Sequence, residues 1–77
     1  MDQTYIIEFQ TRPDGVVNTS VTARSTFASG LAYYHNRFAQ AVMSEQFTSV
    51  SLMLVDADLT VLEQSGPIAT QYKPAEE

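Results

Sequence analysis

Apolar and polar side chains alternate over residues 4–10, TYIIEFQ, as is typical of a strand with one buried face. The period of two places Tyr5, Ile7 and Phe9 on one face and Ile6, Glu8 and Gln10 on the other. The RPDG segment at 12–15 combines the residue types that favour a tight turn. A β-branched run, VVNTSVTA at 16–23, follows it, with Val17, Thr19, Val21 and Ala23 sharing a face. The chain therefore begins with a predicted hairpin.

From Phe27 to Met43 the apolar spacing changes to that of an amphipathic helix. A hydroxyl at Ser25 or Thr26 can cap the first turn by accepting its free N–H groups. The stripe expected to meet a sheet consists of Phe27, Leu31, Tyr34 and Phe38, with Tyr33, Asn36, Arg37 and Gln40 pointing outward. Gly30 lowers helix stability by roughly 1 kcal/mol relative to alanine. We expect it to mark a close approach to a neighbouring backbone.

The second half of the chain predicts another hairpin. Residues 47–55, FTSVSLMLV, alternate with Val50, Leu52 and Leu54 inward and Ser49, Ser51, Met53 and Val55 outward. The DADL segment at 56–59 turns the chain, and TVLEQ at 60–64 returns as a shorter strand. The SGP segment breaks regular structure, so residues 65–77 are predicted to be an irregular tail with a short edge strand near 68–72.

These elements predict an α+β fold of order ββαββ in a single domain, residues 1–77. One amphipathic helix packs on a four-stranded antiparallel sheet whose simplest strand order is 4-3-1-2. The helix covers only one face of that sheet. We expect Ile6, Met53 and Val55 to be exposed on the other face.

The chain has 77 residues, close to the size at which one hydrophobic core barely suffices. It contains no cysteine, which excludes disulfides and thiolate metal sites. Self-association is the favoured source of extra stability, because the apolar arc of the helix is too wide for one sheet to bury. The interface predicted on its flank is formed by Ala28, Ala32, His35, Ala39 and Met43. The alternative is a solvent-exposed alanine flank that only favours helix formation.

The formal net charge is −5, with four scattered basic residues. This argues against broad nucleic-acid binding, which needs a basic surface along the phosphate backbone. No apolar run is long enough to predict a membrane span, and the first ten residues lack the features of a signal peptide. We therefore expect a cytoplasmic protein without membrane contact.

Candidate chemistry is sparse. His35, the only histidine, has no cysteine, triad partner or second ligand on its face, so we predict neither catalysis nor a metal site, and no cofactor. Asp56 and Asp58 are interpreted as turn residues. Arg24 precedes the helix amino terminus, where free N–H groups attract an anion. An ion pair between Arg24 and either Asp56 or Asp58 is an equally good interpretation.

The layout of a strand, the helix STFASGLAYYHNRFAQ and then VSLMLVDADLTVLEQ resembles short acidic αβ proteins encoded by tailed phages, over residues 4–64. Some of those belong to anti-defence families, including small homo-oligomers that sequester nucleotide immune signals with aromatic and basic side chains between subunits. The resemblance implies a non-enzymatic viral protein acting in the host cytoplasm. The ligand that this resemblance implies is an anionic nucleotide. Among the four basic residues, Arg24 and Arg37 lie beside or within the helix and are the expected phosphate partners, and Tyr33, one turn before Arg37, is expected to stack on the base. The alternative is an acidic interaction module that inhibits a host defence protein.

Overall fold

The computed structural model describes residues 3–72, which form one sheet and one helix in the order ββαββ. The strands are β1 (Thr4–Thr11), β2 (Val17–Arg24), β3 (Ser49–Asp56) and β4 (Val61–Ala69), and the helix α1 spans Phe27–Ala41. The sheet order is β2-β1-β3-β4, with every neighbouring pair antiparallel. The predicted α+β class and strand order are confirmed. Within residues 3–72, no helix has the length and apolarity that a bilayer crossing needs.

The turn between β1 and β2 is closed by the RPDG segment. The Gly15 amide donates to the Arg12 carbonyl over 2.9 Å, and the Arg12 amide donates to the Val16 carbonyl over 2.8 Å. The Asp14 side chain accepts from the Val16 amide at 3.0 Å. Gly15 has φ of 92°, which glycine adopts without the penalty a side chain would bring. The residue types that predicted this turn therefore also form it.

Helix α1 begins at one of the two predicted caps. The Thr26 hydroxyl accepts a hydrogen bond from the Ser29 amide at 3.1 Å. At Gly30, an added Cβ would lie 2.0 Å from Oγ1 of Thr4. The predicted close approach at this glycine exists, but the neighbour is a side chain rather than a backbone. The Thr4 hydroxyl also donates to the Thr26 carbonyl at 3.4 Å, which ties the helix start to β1.

The buried side of α1 is rotated relative to the predicted stripe. Its buried residues are Gly30, Tyr34 and Ala41, and Leu31, Tyr33 and Phe38 pack partly buried against the same core. The expectation for Phe27 was wrong, because its side chain is 45% exposed at the first helical position. Tyr33 and Arg37 were expected to point outward, yet both are half-buried against the sheet. The true contact axis therefore lies between the two predicted sides.

The core lies between α1 and one face of the sheet. It contains Ile6, Tyr34, Ala41, Val50, Leu52 and Leu54. The inward positions predicted for β3 are confirmed. The prediction for Ile6 was wrong, since it is 1% exposed and pairs with Leu54 on the helix side. Val55 lies on the predicted uncovered face but is only 2% exposed, so its predicted exposure was also wrong.

Strand β4 is longer than predicted. It runs through the SGP segment to Ala69, so residues 65–67 belong to the sheet instead of an irregular tail. The edge strand predicted near 68–72 is present only at residues 68 and 69, as the end of β4. Gly66, with φ of 89°, lies where the register with β3 shifts, and an added Cβ there would meet the Val50 carbonyl oxygen at 2.6 Å. A β-bulge thus accommodates the glycine and proline within an edge strand. The last part of the predicted tail, residues 73–77, lies outside the described residues.

Candidate functional site

A buried ion pair connects α1 to β1. Arg37 donates from Nε to Oε1 of Glu8 over 2.7 Å and from Nη2 to Oε2 over 2.8 Å. The Glu8 side chain is 5% exposed and that of Arg37 is 31% exposed. The Gln10 amide donates to the same carboxylate. The hydrogen bond to Glu8 raises the pKa of Arg37 above its ordinary value, against the opposing effect of burial. Arg37 is therefore a charged structural partner of Glu8, held in a fixed bidentate geometry.

The other two predicted ligand residues contact each other, one from the end of β2 and one from the middle of α1. The guanidinium carbon of Arg24, the last residue of β2, lies 4.7 Å from the centre of the Tyr33 ring. This separation is within the range of a cation–π contact. The Thr22 hydroxyl donates to the Tyr33 hydroxyl at 3.4 Å, which helps to orient the ring. Arg24 and Tyr33 thus form a preorganised pair, whereas Arg37 is occupied by Glu8.

The alternative ion pair of Arg24 with the β3–β4 turn is not among the salt bridges formed within residues 3–72. The Asp56 carboxylate instead accepts from the amides of Asp58 and Thr60, each at 2.9 Å. These bonds close the turn, in which Leu59 has φ of 66°. Asp56 therefore stabilises its own loop, in agreement with the interpretation of DADL as a turn.

A cleft of about 250 Å³ opens at the carboxyl-terminal end of α1, between the helix and the ends of β1 and β3. Three glutamine side chains line it, together with a guanidinium, a hydroxyl and an aromatic ring: Gln10, Gln40, Gln46, Arg37, Ser44 and Phe47. The buried residues Ala41 and Val50 complete the lining. A neighbouring hollow of about 310 Å³ shares two of these residues and extends to the β1–β2 turn. The cleft is therefore mostly polar, with one guanidinium that is already neutralised.

His35 lies on the outer side of the helix and is exposed. Its ring meets the Tyr34 ring edge-on, with 5.1 Å between the ring centres. Within residues 3–72, no group of three histidine, cysteine, aspartate or glutamate side chains is placed to hold a metal ion. His35 therefore makes an aromatic contact with a core residue.

Among the described residues, 3–72, two surfaces are candidates for association. The predicted helix flank is exposed along its whole length, at Ala28, Ala32, His35, Ala39 and Met43. The second surface is the sheet face opposite α1, which we call the open face. The strand register places on it Tyr5, Ile7, Phe9, Val17, Val21, Met53, Val55 and Val61. Of these, Val17, Val21 and Val61 are exposed, Val55 is buried and the others are half-buried. Its other members are small or uncharged: Thr11, Thr19, Ala23, Ser49, Ser51, Gln64 and Ala69.

The role of Glu8 and the extent of the open face were not predicted from the sequence. A glutamate alternating with apolar residues in a strand usually points to solvent, so nothing local marked Glu8 as buried. The signal was the combination of one acidic residue in a central strand with one arginine within the helix. Comparison with protein-family models, with curated proteins and with solved structures finds no match to this chain.

Proposed function

We propose that this chain is a non-enzymatic binding protein that acts as a homo-oligomer, assembled through the open face. The observation that carries the proposal is the composition of that face. None of its fifteen positions within the paired strands holds a charged side chain, although the whole chain carries a net charge of −5. The acidic residues of the described strands and turns lie elsewhere, for example Glu8 and Glu63 on the helix side. A surface meant for water alone would normally carry charges.

The size of the open face matches what a dimer needs. Strands of eight residues, at about 3.3 Å per residue and about 4.8 Å apart, give four strands a footprint of roughly 500 Å². Two such faces together bury about 1,000 Å², which is near the lower bound for a specific interface. A second copy is the occupant favoured by this estimate, since two identical uncharged faces can stack as a β-sandwich without burying a charge. The exposed helix flank is a narrower surface from a single element.

Two methionines distinguish the open face from the helix flank. Met53 lies on the open face, and Met43, which is 63% exposed, lies on the flank. We expect the Met53 methyl NMR signal to be protected from a soluble paramagnetic probe at high protein concentration and to lose protection on dilution. The probe should strongly relax the Met43 methyl signal at every protein concentration. The reverse pattern would assign the interface to the helix flank, and strong relaxation of both methyls throughout would refute self-association.

A nucleotide ligand is the second candidate, favoured by the Arg24–Tyr33 pair. A guanidinium over an aromatic ring offers one group for a phosphate and one for stacking. Sequestration of an anionic nucleotide, the anti-defence role expected from the phage resemblance, would use this pair and not Arg37. Calorimetry with cyclic nucleotides tests it: heat of binding that disappears in Arg24→Ala supports the role, and no heat refutes it. The acidic-inhibitor alternative has no comparable support, because the described carboxylates lie on separate strands and turns, and the charge of Glu8 is balanced by Arg37.

A further inference from the structure

We infer that the cleft at the carboxyl-terminal end of α1 is a binding site for a neutral planar heterocycle of the nucleobase class. The inference does not depend on self-association, because the cleft lies on the helix side of the sheet, opposite the open face. Its volume of about 250 Å³ is below that of pockets for drug-sized molecules, which begin near 300 Å³. A single ring system with a small substituent fits this volume.

The guanidinium of Arg37 fixes the charge that the ligand can carry. An arginine has five N–H donors, and the two bonds to Glu8 use one on Nε and one on Nη2. Three donors therefore remain on a group that lines the cleft. Since the Glu8 carboxylate cancels its charge, Arg37 offers directional hydrogen bonds without a net attraction for anions. This combination suits ring nitrogens and carbonyl oxygens better than phosphate.

The buried pair also has a positioning role. Replacing a buried ion pair by apolar residues is often neutral or stabilising, so stability alone is a weak reason for placing Glu8 beneath the helix. A carboxylate that takes one edge of the guanidinium fixes the orientation of the other edge, as supporting residues do in binding sites. Gln10 adds a further bond to the same carboxylate. The arrangement holds one donor group rigidly at the cleft wall.

The remaining cleft residues complement a base edge and a base face. Gln40 and Gln46 are exposed at the cleft, and each amide can both donate and accept, as the edge of a nucleobase does. Phe47 is half-buried and presents an aromatic side chain, the type on which bases stack. Hydrogen bonding to the edge and stacking on the face together select a flat heterocycle over a sugar or an aliphatic amide.

An NMR titration of the full-length protein with inosine tests the inference, with ribose 5-phosphate as a probe that has a phosphate but no base. Inosine is expected to shift the side-chain amide signals of Gln10, Gln40 and Gln46, and ribose 5-phosphate is not. Gln46→Ala should weaken inosine binding about 3- to 10-fold, the loss typical of one hydrogen bond. Asn36→Ala, on the exposed side of the helix, is the matched control and should bind as the wild type does.

Three results would overturn the inference. The first is the absence of shifts with inosine up to about 10 mM, which excludes even weak binding. The second is equal or stronger binding of ribose 5-phosphate at the same amide signals, which would make the cleft an anion site. The third is unchanged affinity in Gln46→Ala. Gln46 and Asn36 are both exposed, so neither substitution should unfold the protein. A difference in inosine affinity between Gln46→Ala and Asn36→Ala therefore reports on binding.

Discussion

Replacing Arg37 by alanine should destabilise the protein far more than replacing a surface arginine. Within residues 3–72, the change leaves the Glu8 carboxylate, whose side chain is 5% exposed, with the side-chain amide of Gln10 as its remaining partner. Breaking a buried pair costs about 3–5 kcal/mol, and the 31% exposure of Arg37 lets water replace part of its contribution. We therefore expect a loss of about 2–4 kcal/mol. A domain of this length has a total stability of roughly 4–12 kcal/mol, so the effect should be large.

The assay is urea denaturation followed by circular dichroism, at one fixed protein concentration because self-association adds to apparent stability. Arg12→Ala is the matched control, since Arg12 pairs with Asp14 over 3.6 Å and both side chains are more than half exposed. An exposed pair of this kind contributes about 0–1 kcal/mol. The double replacement Glu8→Leu with Arg37→Met should recover most of the loss, because no unpaired charge is left inside. Equal effects of Arg37→Ala and Arg12→Ala would refute the buried ion pair.

Three further predictions concern the packing of the helix. Gly30→Ala should lower the free energy of unfolding by about 1–3 kcal/mol although alanine favours a helix, because the added Cβ would lie 2.0 Å from Thr4 Oγ1. Thr4→Ala in the same chain should restore part of the loss. Full stability of the single Gly30→Ala variant would contradict the close contact. Leu54→Ala should cost about 2–5 kcal/mol and Asn36→Ala less than about 0.5 kcal/mol, so similar urea midpoints would show that the helix does not cover β3. Thr26→Ala should cost about 1 kcal/mol through loss of the cap, and no change would place the cap elsewhere.

Local patterns in the sequence were sufficient for the order of the elements and the sheet order, but not for the length of β4. Three features depend on residues that are close in sequence and were predicted from them: the turns at 12–15 and 56–59, the start of the helix at Phe27, and the buried face of β3. Which face of β1 the helix covers could not be predicted in the same way. Both of its faces carry apolar residues, and the choice depends on Arg37, 29 residues later, which makes burial of Glu8 tolerable. Long-range pairing of this kind leaves no local signal.

The candidate site was predictable only in part. Arg24 and Tyr33 contact each other, which the sequence did not predict, because Tyr33 was expected on the outer side of the helix. Arg37 was expected on the exposed side because it lies away from the stripe that begins at Phe27, a first-turn residue that is 45% exposed. The rotation follows from the small side chains of Gly30 and Ala41, which let the helix approach β1 and β3 closely. Small residues carry little weight in a hydrophobic pattern, although here they set the contact axis.

Sedimentation equilibrium of three proteins tests the central claim, that copies of the chain associate through the open face. Wild type should show twice the 8.5 kDa mass of one chain, or a higher multiple, at micromolar concentration. Val21→Asp should sediment as a monomer, because Val21 is 61% exposed on the open face and an aspartate there would be buried unpaired in the interface. Ala32→Glu, on the exposed helix flank, should retain the wild-type mass. A monomeric wild type, or dissociation by Ala32→Glu with Val21→Asp still assembled, would contradict the account.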